Sequence, residues 1–295
     1  MSPSLSKPHW SILSIVYIGL LSFTGGFHLP FAQGSRECIA RMDNSNPEEA
    51  YCMPEESFSF FLLRHGQTNF NLEGRIQGTL DTSVLTDKGK EQAQAVGKYL
   101  ANEEPFDKIF VSPMTRAQQT LAIVVEELQA AGKPIPDIET IDEIREIELF
   151  EWQGQLKSDL RVKYPNEIQA WSTQPTEFVL GGRQPVVELF ERASVAWSKI
   201  RDSLANDAVM VGKSQPSILM VAHGAVNQAL IGTAFGFGPQ VYRKYPFPNC
   251  GMAEILWDLK GSNQASMFRW QYPSSGPLMS SQELEELPFT DTIVH

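Results

Sequence analysis

Two short apolar runs end in the same way, and that shared ending constrains the fold more than any other feature of the chain. Phe58 to Leu63, broken only by Ser59, stops at Arg64-His65-Gly66; Ser217 to Ala222 stops at His223-Gly224. Neither run alternates apolar with polar residues as a half-wet strand does, so both read as central strands of a sheet covered on both faces by helices. In such a sheet ligands bind beyond the carboxyl ends of the strands, which brings the two His-Gly pairs to one rim. Either histidine alone is as well explained as a satisfied structural residue. The matched pair in a matched context points to an active site. Polar donors follow the first pair (Gln67, Thr68, Asn69, Asn71, Arg75, Gln77), and cations with amide donors at a strand end suit an anion, phosphate best.

The length of 295 residues allows one catalytic domain with extensions, and 42% hydrophobic with 20% charged residues are the fractions of a globular protein. A net charge of −11 argues against a general nucleic-acid partner, which needs a basic footprint. Any phosphate site must therefore be locally positive on an acidic protein. The three cysteines, Cys38, Cys52 and Cys250, form no disulfide framework, and no pair has metal-ligand spacing. No metal and no cofactor is expected.

At the amino terminus, Lys7 and His9 precede an apolar segment, Trp10 to Phe23, too short to span a bilayer comfortably, and Thr24-Gly25-Gly26 supplies small residues for a cleavage site. Residues 1–26 read as a secretory signal peptide, with an uncleaved signal anchor as the alternative and no membrane attachment in the mature form. Residues 27–57 read as a linker or transit segment; together the two stretches resemble the two-part plastid presequences of algae with secondary plastids. Further on, Thr86 is a helix N-cap, with Ala93, Val96 and Leu100 on one face. Lys108 to Val111 is a strand, and Thr115 to Ala131 a helix with Leu121, Val125 and Leu128 inward. Ile138 to Ile141 is a short strand. Gln155 to Thr173 is helical but interrupted by Pro165. Pro185 to Ala205 is an amphipathic helix whose stripe of Val186, Leu189, Ala193, Trp197, Ile200 and Leu204 is core. Val226 to Phe235 is a helix, Gly251 to Trp257 and Ala265 to Trp270 are strands, and residues 273–295 are a loose acidic tail after a domain spanning 58–272.

Four ordered motifs carry a resemblance. RHGQTNFNLEGRIQGTLDTSVLTDKGKEQA, VSPMTRAQQT, IREIELFEWQG and ILMVAHG are similar, at similar intervals, to those of the histidine phosphatase superfamily, phosphoglycerate mutase-like branch. The resemblance implies a three-layer α/β/α sandwich with a mostly parallel central sheet. It also implies a phosphomonoesterase working through a phosphohistidine. His65 would be the nucleophile and Glu146 the general acid and base, with Glu148 as fallback; Arg64, Arg116 and His223 would hold the phosphoryl oxygens. Asn71 and Gln77 add donors, and Gly66 and Gly224 permit close approach. Arg183, after Gly181-Gly182, stands in the segment that resembles the family's substrate-side loop, where relatives usually have Glu-Ser, and Phe150 stands where relatives mostly have glycine.

HGAVNQALIGTAFGFGP and Pro248-Asn-Cys-Gly251 resemble the plastid and cyanobacterial group that includes 2-carboxy-D-arabinitol-1-phosphatase. The implied partner is thus a small phosphorylated sugar or sugar acid. Two alternatives stand beside hydrolysis: mutase-type phosphoryl transfer, disfavoured by the short stretch from Gln155 to Gly182, and an inactive binding module, disfavoured by the intact catalytic positions. The oligomeric state is left open, a dimer included.

Overall fold

The computed structural model describes residues 38–42, 50–54, 57–210, 213, 215–258, 264–273 and 276–288. The expected signal segment, 1–26, lies outside the described residues. Within the stretch read as a linker, β1 (Cys38–Met42) and β2 (Ala50–Pro54) pair as an antiparallel hairpin, with Cys52 opposite Ala40 and Cys38 opposite Pro54.

The catalytic region is a seven-stranded sheet in the order β5-β4-β6-β3-β7-β8-β9. Its strands are β3 (Phe58–Arg64), β4 (Lys108–Val111), β5 (Ile138–Thr140), β6 (Ser217–Ala222), β7 (Met252–Trp257), β8 (Met267–Tyr272) and β9 (Met279–Ser280). β5, β4, β6 and β3 are parallel, whereas β7, β8 and β9 add by antiparallel pairing, so the sheet is mixed. The two His-Gly strands are neighbours at its centre, in a register that sets Arg64 beside Ala222.

The unbroken apolar runs are explained by what covers them. Phe61 and Leu63 point, with Ile109, Val111, Leu219 and Val221, into a core shared with α2 (Asp87–Leu100) and α3 (Thr115–Ala130). Phe60 and Leu62 point the other way, with Phe110, Ile218 and Met220, into the core under α6 (Pro185–Asn206) and α7 (Gly224–Ala234). Both faces of each strand are dry, so no polar alternation survives. Thr86 caps α2 by accepting the Gly89 N–H at 3.0 Å, and the α6 stripe, Trp197 included, is buried as expected. In α3 the inward place falls to Val124, fully buried, rather than to Val125, because 121, 124 and 128 lie on one face at helical spacing.

α1 (Asn69–Glu73), α4 (Lys157–Lys163) and α5 (Pro165–Thr173) are short and lie at the carboxyl rim; Pro165 opens α5 as its first residue, which is why the helical stretch breaks there. Of the tail expected to be loose from residue 273, residues 276–288 are described and continue the fold. β9 pairs with β8, and α8 (Ser281–Glu286) is closed by a Ser280–Glu283 capping box with Leu284 fully buried. Leu284, with Met279 and Leu287 packed beside it, and a capping box dock a segment whose composition reads as solvated. Among the described residues no helix is long and apolar enough to cross a membrane.

Candidate active site

β3 and β6 end together, and their pairing carries one step past both strands. The His65 N–H donates to the Ala222 carbonyl at 3.0 Å, so His65 and His223 leave the sheet side by side with ring centroids 5.2 Å apart. His65 Nδ1 lies 2.8 Å from the Gly66 carbonyl. A carbonyl can only accept, so Nδ1 carries the proton and Nε2 keeps its lone pair. Burial, then the charges of Arg116 and Arg64, hold the His65 pKa well below its ordinary value. The ring is neutral at pH 7, with a nucleophilic nitrogen.

His223 is fixed as firmly. Arg116 Nε donates to its Nδ1 at 3.2 Å, which puts the proton on Nε2, 2.7 Å from Ser112 Oγ. Burial, then Arg116, His65 and Arg64, lower its pKa well below the ordinary histidine value. Arg116 is fully buried and its Nη2 and Nη1 donate to the carbonyls of Gly78 (2.8 Å) and Leu80 (3.1 Å). Its fork is thus engaged with the loop that follows Gln77 rather than lining the cleft, and burial pushes its pKa down to about 10, still cationic at neutral pH. Arg64 does line the cleft. Gly66 first serves the protein, since a Cβ there would stand 2.5 Å from the Gly89 carbonyl oxygen, whereas Gly224 lines the cleft and a Cβ there would meet the Arg64 guanidinium at an ordinary contact distance of 3.4–3.5 Å.

Asn71 and Gln77 both line the cleft. Asn71 Oδ1 accepts from the Thr68 N–H and from Asn249 Nδ2, each at 3.2 Å; Gln77 Oε1 accepts from Ser83 Oγ at 2.8 Å. With the oxygen ends committed to the protein, the amide N–H ends are the ones left for an anion.

The two acid candidates separate cleanly. Glu146 lines the cleft, and its carboxylate sits over the first turn of α7, accepting N–H bonds from Ala225 (3.2 Å), Val226 (3.1 Å) and Ile147 (2.9 Å). Arg192, on α6, donates to the carbonyls of Arg145 and Glu146 at 2.8 and 2.7 Å and so fixes the backbone behind the acid. Glu148 instead accepts from Thr79 Oγ1 (2.8 Å) and Gln153 Nε2 (3.2 Å), bracing one loop on another away from the cleft. Arg183 is also not in the cleft lining. It forms an exposed ion pair with Glu188 at 2.7 Å, its guanidinium over the Phe150 ring, because the Gly181-Gly182 turn (φ 58° and 77°) folds it back onto α6. Phe150 adopts φ 40°, the left-handed backbone that glycine provides without strain.

Several residues of the site carry no local signal. Ser112 orients His223; Asn249, in the Pro-Asn-Cys-Gly stretch, donates to the His65 carbonyl at 3.2 Å as well as to Asn71. Arg192 and Arg243 read as surface cations until the fold turns them inward. The cleft encloses about 150 Å³, the scale of a small metabolite, and its lining includes Arg64, Glu146, Lys157, Arg161, Trp171 and Arg243. Among the described residues no cluster of three or more His, Cys, Asp or Glu is placed to hold a metal.

The chain is 38% identical over 194 residues to "Probable 2-carboxy-D-arabinitol-1-phosphatase" of Arabidopsis thaliana, a match covering 66% of this chain and 37% of that protein. It is 39% identical over 195 residues to "2-carboxy-D-arabinitol-1-phosphatase" of Triticum aestivum, covering 66% and 36%. The match thus spans little more than a third of either relative's length. Among solved structures, "Mycobacterial hydrolase 1" superposes with a TM-score of 0.61 at 22% identity, covering 74% of this chain and 99% of the other, a likeness of fold. Residues 60–268 match the histidine phosphatase superfamily (branch 1), and the chain belongs to that family.

Proposed function

We propose that this protein is a phosphomonoesterase that hydrolyses a small phosphorylated sugar or sugar acid through a phosphohistidine, with 2-carboxy-D-arabinitol 1-phosphate as the first substrate to try. The observation that carries the reading is the state of His65: neutral, its Nδ1–H spent on Gly66, its Nε2 lone pair held among the charges of Arg64 and Arg116.

In the first step His65 Nε2 attacks phosphorus in line as the P–O bond to the sugar breaks. Arg64 and the amide ends of Asn71 and Gln77 hold the equatorial oxygens, with Arg116 supplying charge from behind His223. Glu146 gives its proton to the departing oxygen. In the second step water attacks the phosphohistidine, Glu146 takes the water's proton, and inorganic phosphate leaves with His65 restored. His223, with Nδ1 accepting from Arg116 and Nε2–H donating to Ser112, backs His65 as a fixed neutral ring. The substrate assignment is supported by the names and 38–39% identity of the two plant relatives.

The test is release of inorganic phosphate by the full chain from a panel of sugar phosphates, sugar-acid phosphates and phosphoglycerates, with His65→Ala beside it. Release is expected from sugar-acid phosphates and falls by more than about 10⁴-fold in the variant, the scale of losing a nucleophile. Isomerisation of 3-phosphoglycerate without net phosphate release would replace hydrolysis with mutase action. Release that persists in His65→Ala would remove the phosphohistidine.

A further inference from the structure

The cleft holds more positive charge than one phosphoryl group requires. Its lining carries five cations, Arg64, Arg75, Lys157, Arg161 and Arg243, and Glu146 is the one acid among the described residues that line it. This occurs in a chain of net charge −11. Arg64 belongs to the phosphate end. Arg75 is neutralised locally, its Nε 2.6 Å from Glu73 Oε2 and its Nη1 donating to the Gly154 carbonyl at 2.8 Å. Lys157 and Arg161, on α4, and Arg243 complete the cations of the lining.

Arg243 is built into its place. Its backbone is left-handed at φ 77°, a conformation that costs a non-glycine residue on the order of 1–3 kcal/mol and persists where the surroundings enforce it. Its N–H donates to Gln228 Oε1 at 2.7 Å, and Nη1 donates to the Ser172 carbonyl at 2.8 Å. The guanidinium lies 5.0 Å from the Trp171 ring centre and 5.6 Å from that of Tyr242. A fork braced between two aromatic faces has lost its rotamer freedom before any ligand arrives, which is what makes an arginine an efficient carboxylate or phosphoryl reader. On the same cleft, Lys157 is partly desolvated, and burial followed by the charges of Arg64 and Arg161 lowers its pKa. An incoming anion relieves that stress.

We propose that Arg243, Lys157 and Arg161 form a subsite for a second anionic group on the substrate, a carboxylate or a second phosphoryl, held while the first phosphoryl group lies against Arg64 and His65. The inference rests on the phosphomonoesterase reading for the identity of the first group. It restricts the substrate to compact metabolites carrying two anionic groups and disfavours phosphosugars with a neutral tail.

Two matched pairs test it by calorimetry, with the full chain carrying His65→Ala so that nothing turns over. 3-Phosphoglycerate and glycerol 3-phosphate differ by a carboxylate; fructose 1,6-bisphosphate and fructose 6-phosphate differ by a phosphoryl group. In at least one pair the doubly anionic member should bind about tenfold tighter or better, the scale of one charge-assisted hydrogen bond. A preference in the first pair assigns a carboxylate, and in the second a phosphoryl group. Arg243→Met should collapse that ratio toward one, and Arg243→Lys should restore part of it. Should Arg243→Met fail to fold, Lys157→Met and Arg161→Met carry the same measurement. Ratios near one in both pairs, or a ratio untouched by all of these variants, would overturn the subsite. Phosphate release by the parent chain is scored separately. Release without any two-anion preference refutes the subsite alone, whereas preference without release refutes the phosphatase reading and leaves the subsite standing.

Discussion

The two walls of the cleft are built by opposite strategies. One wall, with Arg64, Glu146 and the first turn of α7, is backed by His65, His223 and Arg116, which are at most 1% exposed and whose side-chain nitrogens, His65 Nε2 apart, have protein partners. The other comes from α4, α5 and the turn at Tyr242-Arg243. There Arg161 is exposed, Lys157 and Arg243 are half-buried, and α4 has seven residues and no side-chain N-cap. The first wall is held by the middle of a sheet and does the same thing whatever the substrate's tail. The second rests on short rim helices, where a changed side chain costs the core little. Chemistry sits where the backbone cannot move, and selectivity where it is cheap to alter.

The sharpest way to break this comparison is at the acid. Glu146→Gln should lower turnover of alkyl phosphates by about 10²–10⁴-fold, the usual weight of general acid–base catalysis, while p-nitrophenyl phosphate, whose leaving group needs no proton, stays much closer to the parent. Equal losses on both would make Glu146 a brace for α7, which its three backbone hydrogen bonds also allow.

Next comes pH. The pKa values of His65 and His223 in the folded chain lie below the ordinary 6.5, so between the folded and unfolded values the unfolded chain binds more protons. Their contribution to stability is complete above about pH 6.5 and is lost as pH falls below it, at up to about 1.4 kcal/mol per pH unit for each ring. Urea midpoints at pH 7.5 and 5.5 should show the loss, and His223→Asn should flatten it. An unchanged slope in the variant would mean that the first wall is not the pH-sensitive one.

The smallest effect is expected at Arg183, outside both walls. Arg183→Ala removes an exposed pair with Glu188 and should leave the urea midpoint nearly unchanged, because exposed ion pairs contribute little. A large rise in KM on that substitution would instead return Arg183 to the substrate side.

Much of what is local in this chain is legible in its sequence. The runs from Phe58 and Ser217 needed only their lack of alternation to be placed at the sheet centre, because two covered faces leave no wet side. Thr86 announced a helix by its side chain and spacing. The His-Gly endings located the rim, because a strand's end is a position in sequence as well as in space. Glu146 and Glu148 illustrate the limit. They are two residues apart, yet one meets the N–H groups of α7 and the other the Thr79–Gln153 bracing. Ala225 and Val226 lie 79 and 80 residues after Glu146, and Thr79 lies 69 before Glu148, so nothing local ranks the two acids.

The cations show the same limit. Arg183 and Arg243 each follow a tight turn and each stack on aromatic rings, but Gly181-Gly182 folds one back onto Glu188 while Gln228 and Ser172 turn the other toward the cleft. The docking of residues 279–286 was likewise invisible, since one buried leucine does not mark a segment as folded. By itself the sequence determined the central strands, the Thr86 cap, the neighbouring His-Gly endings and the family, because these depend on neighbours along the chain. The tertiary structure alone decided which acid reaches the cleft, which way each histidine's proton points and which cations line the cleft. Those depend on partners that only folding brings within hydrogen-bond distance.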